Sequence, residues 1–221
     1  MLVGVVSDTH NNIKNIKNII NIFNNEKVDV VIHTGDITQS KSLQLFSNLS
    51  CPMIGVFGNN DRSEIGLEEV CKNLKFDFKA PPFLVSLNNK KIAIFHEPDL
   101  INDFIKANQE VDIVLHGHTH RYREEVLDNT IYFNPGESAG LIEGSNALGL
   151  INLDNLEISD LIDVPNGKLV IMIKDRRKSK IKTSFEDEYK KTLMRERNKQ
   201  LNQFSSIYFK KVELNTIINE K

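Results

Sequence analysis

MLVGVVSDTHNNIKNIKNIINIFNNEKVDVVIHTGD, residues 1–36, reads as strand, helix, strand. Leu2–Ser7 is a short valine-rich run with no polar alternation, the composition of a strand covered on both faces. Asn11–Asn25 then places Ile13, Ile16, Ile19, Ile20 and Phe23 along one helix face. Val28–His33 is a second buried strand and ends in Gly35-Asp36. Two apolar strands joined by one amphipathic helix form a parallel βαβ unit, the building block of a layered α/β sheet.

The alternation continues downstream. Ser40–Leu49 reads as a helix, Met53–Phe57 as a strand, and Ser63–Leu74 as a helix with Ser63 as its N-cap. After that the connections shorten. Phe83–Leu87 and Lys91–Phe95 flank the turn residues Asn88-Asn89-Lys90. A helix near Leu100–Asn108 leads to the strand Asp112–His116. Two further hairpins follow, Arg123–Leu127 with Thr130–Phe133 around Asp128-Asn129, and Ala147–Leu153 with Leu156–Leu161 around Asp154-Asn155. Parallel βα units followed by hairpins predict two sheets packed face to face with helices outside. No repeat of solenoid period is present.

With 221 residues, 40% hydrophobic and 26% charged, the chain suits one compact domain with an appendage. Wholesale disorder and fibrous repeats are excluded on composition. Cys51 and Cys71 cannot build a disulfide framework or a zinc knuckle, and both read as buried small hydrophobes in a reducing compartment. The N-terminus lacks a basic leader, and no stretch approaches the ~18 apolar residues that span a bilayer, so a cytoplasmic protein without membrane contact is expected.

The net charge of −2 conceals a division. Residues 1–164 carry 13 Lys and Arg against 23 Asp and Glu, a balance of −10, whereas residues 165–221 carry 15 against 7, a balance of +8. All six histidines fall between His10 and His120. The chemistry is therefore expected in residues 1–164, with 165–221 a basic accessory extension. In that extension Leu169–Ile173 reads as a strand, Lys174–Lys182 as a basic run, Glu186–Leu201 as a helix, and Ser205–Lys221 is ambiguous. The basic run is read first as solvated surface and second as a nucleic-acid contact.

Five short motifs sit just after predicted strands: Asp8-Thr9-His10, Gly35-Asp36, Gly58-Asn59-Asn60-Asp61, His96, and Gly117-His118-Thr119-His120. Ligands of open α/β sheets bind at the carboxyl ends of strands, so these side chains should converge. Taken singly, Asp8 caps a strand, Asp36 makes an Asx turn and Asn59 is turn chemistry. Together they offer Asp, Asn and His donors with no thiolate, a set suited to Mn²⁺, Fe²⁺, Zn²⁺, Ni²⁺ or Co²⁺. The seven donors Asp8, His10, Asp36, Asn59, His96, His118 and His120 exceed the three or four of one catalytic ion and suit two ions that share a carboxylate. His33 and His116 lie one step inside the motifs and read as structural supports.

The order D-x-H, G-D, G-N-x-D, H, G-H-x-H, N-P-G resembles the calcineurin-like metallophosphoesterases, most closely their small prokaryotic YfcE-like phosphodiesterases, over roughly residues 1–163. The resemblance implies a four-layer α/β/β/α sandwich of two mixed sheets with outer helices. It implies two divalent ions, Mn²⁺ foremost, with Ni²⁺, Fe²⁺, Zn²⁺, Co²⁺ or Mg²⁺ as alternatives. Asp8, His10 and His120 would hold the first, Asp36 would bridge, and Asn59, His96 and His118 would complete the second. A bridging hydroxide would attack the phosphoester substrate in line, and Asn134-Pro135-Gly136-Glu137 would line the site. Relatives suggest homo-oligomers.

Two residues depart from the family pattern. Asn60 stands where many relatives carry a histidine that protonates the leaving group, a role worth ~10²–10⁴-fold that an amide cannot fill. It can still donate to phosphoryl oxygen, so Asn59 and Asn60 are also substrate-binding candidates, and diesters are favoured. Asp61 is expected to support the chemistry by orienting a ligand histidine, and His96 to act with it. Glu97-Pro98 follows His96 where relatives usually have glycine, which would add negative charge and alter the loop. The alternatives are a phosphomonoesterase or protein phosphatase, which Asn60 disfavours, and a scaffold with a weakened site, which the filled ligand positions disfavour.

Overall fold

The structure is a computed structural model and describes residues 1–108, 110–141, 147–164 and 167–171. Residues Met1–Lys174 form one compact unit. The expected basic run over Lys174–Lys182, the helix over Glu186–Leu201 and the segment Ser205–Lys221 lie outside the described residues.

β1 (Leu2–Val6), β2 (Val30–His33), β3 (Met53–Val56) and β4 (Asp77–Lys79) run parallel in one sheet. β10 (Ala147–Asn152), β11 (Glu157–Val164) and β12 (Gly167–Ile171) extend it antiparallel on the other side of β1. The order of this seven-stranded sheet is β12-β11-β10-β1-β2-β3-β4. The second sheet has five strands, ordered β5-β6-β7-β9-β8, from β5 (Phe83–Leu87), β6 (Lys90–Ile94), β7 (Ile113–Leu115), β8 (Arg123–Leu127) and β9 (Thr130–Asn134). The hairpin turns Asn88-Asn89 and Asp128-Asn129 have positive φ at both positions, which Asn and Asp tolerate and which matches the twist of the flanking strands.

The layers follow from which faces are apolar. Val3, Val5, Val30, Ile32 and Val56 of the large sheet meet Ile92, Ile94, Ile113, Leu115, Ile131 and Phe133 of the small one. The outer face of the large sheet is covered by α1 (Ile13–Glu26), α2 (Ser40–Leu45) and α3 (Leu67–Leu74), through Ile16, Ile19, Ile20, Phe23, Leu43, Leu67 and Cys71. The outer face of the small sheet is covered by α4 (Ile101–Ala107), whose Ile101 packs with Phe95, Val114 and Tyr132. The result is an α/β/β/α sandwich of two mixed sheets.

Three readings change. The helix expected from Ser63 begins at Leu67 and is capped by Gly66, and Ser63 stays exposed. The chain first turns through Asp61 and Glu64, with Asp61 N bonded to Gly58 O and Glu64 N to Asp61 O, before buried Leu67 anchors the helix. The helix expected over Ser40–Leu49 stops at Leu45 and tightens into a single 3₁₀ turn, Phe46–Asn48. Cys71 is buried as expected, but Cys51 is only half-buried, and both thiols are free. Among the described residues no helix is long and apolar enough to cross a membrane.

Candidate metal centre

All the motif residues emerge at the carboxyl edges of the two sheets. Asp8 and His10 follow β1, Asp36 follows β2, and Asn59 to Asp61 follow β3; His96 follows β6, and His118 and His120 follow β7. Asp8 (φ 49°), His10 (φ 42°), Asp36 (φ 62°), His118 (φ 66°) and His120 (φ 55°) all adopt left-handed backbone. Such conformations cost roughly 1–3 kcal/mol each in non-glycine residues and persist where the surroundings enforce them, commonly at functional sites.

The enforcement is visible. A Cβ on Gly117 would lie 1.9 Å from Ser7 Oγ and 2.8 Å from Asp8 Oδ2, and a Cβ on Gly58 would lie 2.2 Å from Asp36 Oδ1. Only glycine lets these loops approach the carboxylates, which explains the G-N and G-H pairs. Asp61, 4% exposed, accepts four backbone N–H bonds: Oδ2 from Asp36 (2.8 Å) and Gly58 (2.8 Å), and Oδ1 from Ile37 (2.9 Å) and Thr38 (2.7 Å). These bonds correct the expectation for Asp61. It clamps the Asp36 loop through its backbone rather than orienting a histidine, because both oxygens are already filled by amides. On the other side, buried Asn134 donates to Gly117 O (3.0 Å) and Thr119 Oγ1 (3.0 Å) and accepts from Gly136 N (2.9 Å), pinning the histidine turn.

Two groups of ligand atoms result. Asp8, His10 and His120 present donor atoms within 4.8 Å of one another, as do Asp8, Asp36 and His96. Asp8 Oδ2 is occupied, accepting from Ser7 Oγ and from His118 N (3.1 Å). Asp8 Oδ1 and His10 Nε2 are buried atoms without a hydrogen bond. His120 Nε2 lies 3.3 Å from Asp8 Oδ1. On the far side of Asp36, His96 Nε2 (2.9 Å) and His118 Nδ1 (3.0 Å) both point at Asn59 Oδ1, and His96 Nε2 is 3.3 Å from Asp36 Oδ1. Buried ligand atoms without a hydrogen bond, and lone-pair atoms converging on one point, fit a cation; leaving them unsatisfied would cost several kcal/mol. The residues present therefore fit divalent ions.

The electrostatics agree. Burial alone would raise the Asp36 carboxyl, but the His96 bond and charge and the two Asn60 donors hold it far below the usual range. Burial opposes charge on His96, yet its bond to Asp36 and the nearby carboxylates hold it above its ordinary value. His120 is raised chiefly by Asp8. Burial pushes His33 down to about 3 and His116 down to about 4. His33 accepts from Gly35 N at Nδ1 (3.0 Å) and faces Thr9 Oγ1 at Nε2 (3.0 Å), so both its nitrogens are used inside the fold.

Asn60 donates to Asp36 through its backbone N (3.0 Å) and its side-chain Nδ2 (2.7 Å), steadying that carboxylate. Glu97 is taken up by Arg62 (2.6 Å) in a solvent-exposed ion pair, while His96 has Nδ1 held by Thr34 O (2.8 Å). Thr34 O was not legible in sequence, since a backbone carbonyl carries no residue signature. Ser7 was also not singled out, whereas buried Glu137, whose Oε2 lies 3.7 Å from His120 Nδ1, belongs to the Asn134–Glu137 loop expected to line the site.

Residues 1–156 match the calcineurin-like phosphoesterase superfamily domain. The chain belongs to that family. It is 32% identical over 165 residues to the phosphodiesterase MJ0936 of Methanocaldococcus jannaschii, covering 73% of this chain and 99% of that protein. It is 28% identical over 145 residues to the probable metallophosphoesterase MJ0623 of the same organism, covering 62% of this chain and 67% of that protein. Among solved structures, a novel archaeal phosphodiesterase superposes with TM-score 0.68 at 30% identity, covering 74% of this chain and all of that one. The Escherichia coli phosphoesterase Yfce, at 18% identity and TM-score 0.54, covers 77% of this chain and 97% of that one and shares the fold alone. This calcineurin-like chain is thus a hydrolase of the phosphoesterase class with a site for divalent metal ions.

Proposed function

We propose that the chain is a binuclear metal-dependent phosphodiesterase in which Asp8, His10 and His120 hold one divalent cation, Asn59, His96 and His118 hold the other, and Asp36 bridges. The observation that carries the reading is two buried atoms without a hydrogen bond, His10 Nε2 and Asp8 Oδ1, the latter approached by His120 Nε2 at 3.3 Å, together with two imidazoles aimed at Asn59 Oδ1. When bound, two such ions stabilise the attacking and leaving oxygens of an in-line displacement and lower the pKa of water toward ~7. Hydrolysis of a diester there would form a bond from water oxygen to phosphorus and break the bond to the departing alcohol, with the proton lost by water balancing the one the alkoxide takes up, giving a monoester and an alcohol.

The chain's own residues orient this event. Thr34 O holds His96 Nδ1, so Nε2 faces the centre. Ser7 and the His118 amide hold Asp8 Oδ2, so Oδ1 faces the centre. An amide NH₂ carries two donors, and Asn60 uses one on Asp36, which leaves one for a phosphoryl oxygen. With no acid at that position, diesters with acidic leaving alcohols are favoured over alkyl monoesters. The likeness to a named phosphodiesterase supports the same choice. The proposal assigns the chemistry to residues 1–164 and an accessory role to 165–221, since every candidate ligand precedes residue 121.

The test is a panel of phosphodiesters and phosphomonoesters assayed with Mn²⁺, Ni²⁺, Fe²⁺, Zn²⁺, Co²⁺ and Mg²⁺, with elemental analysis of the loaded protein. The expected result is two ions per chain, strongest turnover with Mn²⁺, and diesters preferred. Preferred turnover of alkyl monoesters overturns the diesterase reading, and a single bound ion overturns the binuclear one.

A further inference from the structure

A cleft of about 440 Å³ follows the segment that leaves the metal loops. Its volume lies in the range that holds a small organic ligand. Asp61 lines it, and the carboxylate of Asp61 accepts from the amides of Asp36 and Gly58. Arg62 lines it next, with its guanidinium on Glu97, the neighbour of His96. The cleft therefore starts one residue beyond Asn60, whose side chain donates to Asp36. Phe57, Ile65, Ala80 and Pro81 make much of the remaining lining apolar. Ile65 is 94% exposed, an apolar surface that an occupant would cover. The charge of the cleft is one-sided. Arg62 is already engaged by Glu97, whereas Glu64 and Glu68 also line the cleft and make no ion pair among the described residues.

We propose that this cleft receives one of the two ester groups of the diester and selects an apolar, uncharged or cationic group over an anionic one. Covering Phe57 and Ile65 removes apolar surface from water, which favours an apolar occupant. A negatively charged occupant would meet two carboxylates without a counter-ion, and like charges placed together disfavour binding. The inference rests on the diesterase reading above and extends it to the organic part of the substrate.

The experiment compares p-nitrophenyl phosphodiesters whose second ester group is methyl, benzyl, 4-(aminomethyl)benzyl or 4-carboxybenzyl, with Mn²⁺-loaded full-length protein. Benzyl is expected to exceed methyl by about tenfold in kcat/KM, through the apolar area it buries. Among the benzyl esters the order should be aminomethyl, unsubstituted, carboxy, with about tenfold between the extremes at low salt and less in about 0.5 M NaCl. Glu64→Gln/Glu68→Gln should compress that charge order while the benzyl preference over methyl persists. Ala80→Trp, which fills the cleft, should compress the benzyl-to-methyl ratio. Urea unfolding checks that each variant is folded. A folded double variant that keeps the full charge order, or a folded Ala80→Trp that keeps the full benzyl preference, overturns the inference. A measurement that needs no variant follows the methyl resonances of Ile65 and Ala80 in chelator-stripped wild type titrated with the aminomethyl diester. Both should shift, and resonances that stay in place overturn the inference. Failure of the Mn²⁺-loaded wild type to hydrolyse any of the four diesters refutes the diesterase reading itself, and the resonances then decide the cleft separately.

Discussion

Replacing Asp61 by asparagine separates a structural clamp from a catalytic group. The carboxylate accepts from the amides of Asp36, Ile37, Thr38 and Gly58, two on each oxygen, and is almost fully buried. Asparagine retains one oxygen and puts an NH₂ donor where the other stood. Two buried amides then face a donor and lose their acceptor. Each buried group left unsatisfied costs ~1–3 kcal/mol, so the expected loss is ~2–6 kcal/mol. That is a large share of the ~5–15 kcal/mol that holds a typical domain together. The loss should appear in chelator-stripped protein, by urea denaturation at pH 7, because the clamp acts without any ion. Metal affinity should fall as well, since Asp36 and Asn59 sit on the two loops that Asp61 joins. The reasoning is refuted by a variant whose stripped stability lies within ~0.5 kcal/mol of wild type and which still binds two ions but turns over slowly. That result would make Asp61 a catalytic residue.

Asp36→Asn should abolish most bound metal and most turnover if Asp36 bridges as proposed; two ions by elemental analysis with near-normal rates would contradict this. Asn60→His should raise the ratio of monoester to diester turnover between pH 5 and 8 by supplying a proton donor, and an unchanged ratio counts against the account of selectivity. Acid should destabilise the stripped protein through His33 and His116, which burial holds neutral with pKa values of about 3 and about 4 against an ordinary 6.5. The unfolded chain takes protons that the folded one refuses, so their contribution is complete above pH ~6.5 and falls as pH drops toward those values. The slope should approach ~2.7 kcal/mol per pH unit near pH 5, about 1.4 for each histidine. His96 and His120 are raised, so their effect has the opposite sign and lies above ~6.5; His33→Gln should flatten the acid limb by about half in urea titrations at stepped pH.

The α/β alternation and the meeting of candidate ligands at the strand ends were legible because both rest on strong local signals. The valine-rich strands have no alternative structure, and Asp, Asn and His immediately after strands are costly unless something uses them. What the sequence concealed was of three kinds. β4 is three residues long, reads Asp77-Phe78-Lys79, and pairs at the sheet edge, where neither length nor pattern marks a strand. The start of α3 moved from Ser63 to Leu67 because Asp61 is drawn into the Asp36 loop, a contact 25 residues distant that outweighs a good N-cap. The supports of the ligands, Thr34 O, Ser7 Oγ and the Asp61 clamp, are backbone or short polar groups whose roles appear only once the loops meet.

The placement of the ligands explains why the sandwich and the centre depend on each other. Each proposed ion draws on both sheets. Asp8 and His10 come from the large sheet and His120 from the small one; Asp36 and Asn59 come from the large sheet and His96 and His118 from the small one. Apolar packing between the sheets fixes their spacing but says little about rotation at the open edge, because hydrophobic burial is non-directional. Direction comes from a few polar bonds that cross between the sheets at that edge. Gly117 N bonds back to His96 O within the small sheet, whereas His118 N to Asp8 Oδ2 and His96 Nδ1 to Thr34 O join the two sheets. Those bonds fix His96 and, of the five left-handed candidate ligands, Asp8 and His118 before any ion binds. A set of donors positioned in this way loses little conformational freedom on binding, so more of the interaction with the ion appears as affinity. The backbone strain is therefore borne by the fold, and the metal centre inherits a geometry that it did not have to create.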